Sequence, residues 1–161
     1  MVRAAAFVAA LYLVGSVPPD VSLATLAACE RHNVDCVALG AYLVSEHGDD
    51  WTDEPSACSS KGACGPFQLS KLWPRHFGYA VDDRACPWAS ADMAAQLVAY
   101  SQERAIETRS PHDWRARMKC KPGQRHRCAG PVAGWRRTEQ RICAIVGGLL
   151  RECREETWLD S

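Results

Sequence analysis

Nine cysteines in a chain of 161 residues, Cys29, Cys36, Cys58, Cys64, Cys86, Cys120, Cys128, Cys143 and Cys153, restrict the folds open to it more than any other feature. Disulfides fix which segments must lie side by side, and they persist in oxidising compartments. The chain holds no C-x-x-C pair and its histidines are scattered, so disulfides are favoured over a zinc site and no metal is expected. Cys29 with Cys36, Cys58 with Cys64 and Cys120 with Cys128 would each close a short loop and are the local pairs to expect, although spacing does not fix connectivity. The odd number leaves at least one thiol over. Cys143 and Cys153 fall on what reads as one helix, ~15 Å apart by helical rise, too far to bridge while that helix is unbroken.

The hydrophobic pattern is helical throughout. Arg3 precedes an apolar run from Ala4 to Val14, followed by Pro18 and Pro19. It is shorter than the ~20 residues that span a bilayer, so residues 1–19 read as a removable export signal or as a first helix packed on the domain, and no stable membrane span is expected. Leu23, Leu26, Ala27 and Glu30 mark a helix. Asp35 can cap another from Cys36 to His47, stopped by Gly48. Residues 49–61 read as a polar loop, Gln68 to Phe77 as a short helix broken by Pro74, and Ser90 to Arg109 as a long helix capped by Ser90. Ser110, Pro111 and Asp113 signal a further helix start, Lys119 to Pro131 a loop, and Ile142, Ile145, Val146, Leu149 and Leu150 a last helix weakened by Gly147 and Gly148. No alternating strand pattern of useful length occurs. With 47% hydrophobic residues, the expectation is one mainly α domain over residues 20–161, with at most an irregular patch near Ser59 to Leu69.

Nineteen basic and nineteen acidic side chains cancel, which removes the excess of Lys and Arg that nucleic-acid binding rests on. No nucleic-acid partner is expected, and the chain should be a monomer. The basic run from Arg117 to Arg141 reads as a solvated face.

The chemistry centres on Glu46. Leu39, Tyr42 and Leu43 precede it at helical spacing, which puts a carboxylate at the inner end of an apolar stripe, where lost hydration favours the protonated form that a general acid needs. Downstream come Ser59 and then Gly62, Ala63, Cys64, Gly65, Pro66, Phe67, Gln68 and Leu69. Glutamate, serine and a G-A-x-G-x-x-Q run in this order resemble the lysozyme-like soluble lytic transglycosylases, phage-borne members included. The likeness extends from about Leu23 to Leu72 and more weakly to about Ile142.

This resemblance implies a lysozyme-like helical domain with a disulfide-tied active-site loop, acting on peptidoglycan glycan strands without metal or cofactor, exported or virion-associated. Glu46 would be the acid, Ser59 a hydroxyl that orients groups near it, Gln68 a glycan-binding amide, and Gly65 and Phe67 parts of the substrate-binding turn. Trp51 and Trp73 are the aromatics placed nearest a glycan groove, since rings stack on sugar faces. The implied reaction protonates the glycosidic oxygen between N-acetylmuramic acid and N-acetylglucosamine, then draws the proton from the muramyl C6 hydroxyl, whose attack closes a 1,6-anhydro ring.

Three positions depart from the family pattern: His47 follows the glutamate where serine is frequent, Met118 stands where a tyrosine approaches the acid, and no asparagine motif is evident around Ser90 to Ala94. Two alternatives remain. A hydrolytic muramidase, like the goose-type lysozymes, would use Asp49, Asp50, Asp53 or Glu54 to hold water across the sugar. A cysteine-rich glycan-binding protein would keep the cleft without turnover.

Overall fold

One helix is buried on nearly every side, and the rest of the molecule is arranged around it. The structure, a computed structural model, describes residues 1–47, 51, 58–108, 114–119, 129–150 and 153. In order they form α1 (Val2–Gly15), α2 (Pro19–His32), α3 (Cys36–His47), α4 (Leu72–Phe77), a 3-10 helix (Val81–Ala85), α5 (Pro87–Glu107), α6 (Trp114–Lys119), α7 (Ala129–Val146) and a second 3-10 helix (Gly147–Leu149). The described residues are mainly helical and contain no strand, only isolated antiparallel bridges from Cys64 to Cys58 and to Leu69. Among them, no helix is long and apolar enough to cross a membrane.

The apolar run at the front is α1, with Phe7, Ala10, Leu11 and Val14 buried against α2, α3 and α7. Gly40 lets α3 approach it: a Cβ there would lie 2.9 Å from a Leu11 methyl. From Cys36 to Val44, α3 is buried all round rather than along one stripe, and it emerges at Ser45. A helix apolar on every side belongs at the centre of a core. Its start is capped as the sequence indicates, with the Ala38 N–H donating to Asp35 Oδ1 at 2.8 Å. The stop expected at Gly48 lies outside the described residues.

Prolines account for the shifted boundaries. Pro74 sits in the first turn of α4 and does not break it, because the first amides of a helix have no intrahelical acceptor to lose. Pro87 likewise takes the first position of α5, which begins three residues before the expected cap, so Ser90 lies inside the helix with its N–H on the Cys86 carbonyl. Pro131 falls in the first turn of α7, which starts within the segment read as a loop. The start signals at Ser110, Pro111 and Asp113 lie outside the described residues.

Three disulfides occur among the described residues. Cys29–Cys36 staples α2 to α3 and Cys58–Cys64 closes the turn before Gly65, both as expected from spacing. Cys143–Cys153 is the departure: the last helix is broken, α7 ending at Val146 and Gly147 taking φ 55°, which folds the chain back until the two Cα atoms are 5.3 Å apart. The expected Cys120–Cys128 pair lies outside the described residues, and Cys86 is an exposed free thiol.

α2 and α5 pack along each other, and their contact is pinned by Asp92. Its Oδ1 accepts from Arg31 Nη1 at 2.7 Å and lies 2.9 Å from His32 Nε2, while Oδ2 accepts from Tyr79 Oη and Gln96 Nε2. Burial alone would raise this carboxyl, but the bonds from Tyr79, His32 and Arg31 outweigh it and hold it below its ordinary range.

Candidate functional site

The last turn of α3 carries Glu46 out of the core. Glu46 is half-buried, one turn beyond Tyr42, whose ring is buried and packs against Phe67 (centroids 5.8 Å apart) and, stacked, against Trp135 (5.3 Å). Burial and then the negative charge of Glu46 push the Tyr42 phenol well above its ordinary value, so it stays protonated as a donor. Its hydroxyl lies 3.5 Å from the Phe67 carbonyl oxygen. One phenol therefore reaches the Gly65 to Gln68 turn and feels the charge of the carboxylate.

That turn is fixed by backbone geometry. Cys64 and Leu69 exchange both main-chain bonds at 3.0 Å, closing a loop in which Gly65 has φ +77° and Gln68 φ +47°. A Cβ on Gly65 would sit 1.7 Å from the Arg84 carbonyl oxygen, so only glycine fits. The space a side chain would take at Gly65 is filled by the Arg84 backbone. The Arg84 side chain is buried and clamps both ends of the loop, Nη1 donating to the carbonyls of Gly62 (2.9 Å) and Leu69 (3.0 Å) and Nε to that of Val81 (2.7 Å). Sequence reading missed Arg84, which belongs to no motif; its one signal is its place just before Cys86 and Pro87, where chain direction changes.

The other sequence-derived residues divide by what they touch. Phe67 is 0% exposed, so its ring belongs to the core and cannot stack on a ligand. Gln68 turns its amide inward, Nε2 donating to the Gly65 carbonyl at 3.0 Å. Ser59 is exposed and organises its own turn, its Oγ accepting from the Ala63 N–H at 3.2 Å while its N–H donates to the Ala63 carbonyl at 2.7 Å. Trp51 stacks face to face on His47, centroids 3.8 Å apart, and its Nε1 donates to the Gly15 carbonyl at 2.6 Å, tying the exit of α3 to the end of α1. Trp73 is half-buried in a cluster with His76, Phe77 and Tyr100 and faces a cleft that Met118 also lines. The structure thus joins Glu46, Tyr42 and the Gly65 to Gln68 turn, sets Trp51 against His47, and assigns Trp73 to a separate aromatic group. Asp49, Asp50, Asp53 and Glu54 lie outside the described residues.

Comparison with protein-family models, curated proteins and solved structures found no match for this chain.

Proposed function

We propose that this chain is an exported lytic transglycosylase of lysozyme-like fold that cleaves peptidoglycan glycan strands, with Glu46 as general acid and then base. The observation that carries the reading is the shared phenol: Tyr42 feels the charge of Glu46 and reaches the Phe67 carbonyl, which relates the acid to the G-A-x-G-x-x-Q turn through one group. The Tyr42 phenol stays protonated throughout the working range and so does not compete for the catalytic proton, and its one O–H is directed at the Phe67 carbonyl. One carboxylate suffices because the substrate's acetamido group can stabilise the developing positive charge and its C6 hydroxyl can act as nucleophile. The three disulfides support export.

A second reading rests on Met118, which stands where the family pattern has a tyrosine near the acid: a glycan-binding protein without turnover. Digestion of purified peptidoglycan separates the two. Wild type should release fragments with anhydromuramyl ends, and Glu46→Gln should lower release by a factor on the order of 10² or more, the scale of a lost general acid. Reducing ends would make the enzyme a hydrolase, and binding without release would support the second reading. Full activity in Glu46→Gln would remove Glu46 from the mechanism.

A further inference from the structure

We propose that the cleft between α4, α5 and α6 binds a carboxylate carried on a small ring or aliphatic body; on the reading above, which this inference deepens, that group is a free carboxyl of the peptide stem borne by the glycan. Leu97, Tyr100, Ser101 and Arg104 form one stripe of α5 at i, i+3, i+4 and i+7, Trp73 faces them from α4, and Arg117 and Met118 close the far side from α6. The cleft encloses about 170 Å³, room for a side group rather than a whole disaccharide.

Its lining is cationic and aromatic, and among the described residues none that lines it is acidic. Arg104 and Arg117, from different helices, both line one cavity, as do Trp73 and Tyr100, whose ring centroids are 6.4 Å apart. The planar fork of an arginine matches a carboxylate, and paired forks with apolar walls select an anion attached to an apolar body over a bare sugar hydroxyl. Among the described residues, each guanidinium has one side-chain acceptor. Arg104 donates from Nη1 to exposed Glu107 at 2.8 Å. Arg117 donates from Nη2 to the Thr108 hydroxyl, while its Nε is buried with no acceptor. The position follows the chain, since α4 begins three residues after the Gly65 to Leu69 turn.

Titrations of the full chain test this with three probes: N-acetylmuramyl-L-alanyl-D-glutamate, its fully amidated form, and tri-N-acetylchitotriose, a glycan without peptide. The acidic probe should quench tryptophan fluorescence saturably and bind more weakly at higher salt. Arg117→Gln should weaken it about tenfold, the scale of one charge-assisted contact. Arg104→Gln, at a position exposed enough to leave folding intact, should weaken it several-fold, and chitotriose binding should change in neither variant. Equal affinity for the acidic and amidated probes would overturn the proposal, as would unchanged affinity in Arg104→Gln. Inorganic phosphate binding more tightly than the acidic probe would overturn the carboxylate assignment. Glu46-dependent release of glycan without any binding of the acidic probe would defeat this inference alone, whereas release independent of Glu46 would defeat the functional reading.

Discussion

Gly65 shows how little latitude the site has at the scale of one residue. Alanine there would need both a left-handed backbone and a Cβ 1.7 Å from the Arg84 carbonyl oxygen, so Gly65→Ala should cost about 3 kcal/mol or more and displace the turn that carries Gln68. Thermal denaturation reads this directly, and an unshifted midpoint would contradict the packing. A second residue, Glu139, sets a pH dependence. It is 0% exposed and ion-paired through Oε1 with Arg115, while Oε2 has no hydrogen-bond partner. Burial raises its carboxyl from 4.5 to about 7 against the opposing pull of Arg115. The unfolded chain ionises this group at the lower value and the folded chain only at the higher, so folding takes up a proton between them. Stability should therefore fall as pH rises through that window, by up to about 3 kcal/mol, and level off above it. Denaturant titrations of Glu139→Gln should show a flatter profile between those pH values; an identical slope would rule the group out.

At the scale of elements, α2 and α5 are held by burial along their length and by one carboxylate at their contact. Asp92→Asn keeps the shape but loses the charge that four donors converge on, and an amide nitrogen cannot accept from them. The expected loss is about 2 kcal/mol or more. Because the Asp92 carboxyl is held below its ordinary range, its contribution is present above the unfolded value and disappears as pH falls through the folded one. Acid unfolding of the variant should begin from a lower plateau and show less dependence on pH in that range; a wild-type acid limb would contradict the assignment. Elements are also where the sequence was most readable. The start of α3 and its Asp35 cap follow from local chemistry, as do the two short-loop disulfides. The starts of α4, α5 and α7 did not, because a proline in the first turn gives the same local signal whether it ends one segment or opens the next.

For the whole molecule, α1 is the element whose role sequence left open between leader and core. Phe7 and Leu11 are both 0% exposed and lie against α3, so a chain lacking residues 2–15 should lose cooperative unfolding, each large buried side chain contributing about 1.5–3 kcal/mol. A truncated chain with a sharp wild-type transition would show instead that α1 is dispensable. The cysteine count, the helical periodicity and the order Glu46, Ser59, Gly65, Gln68 were determined by the sequence alone, since each depends on residue identity and spacing along the chain. The pairing of Cys143 with Cys153 required a break at Gly147 that spacing does not announce. Arg84 under the loop, Tyr42 between acid and turn, Phe67 sealed in the core and the two arginines facing one cleft were decided only by tertiary structure. Each depends on segments brought together in space, and a linear pattern records which side chains are present without recording what each one is packed against.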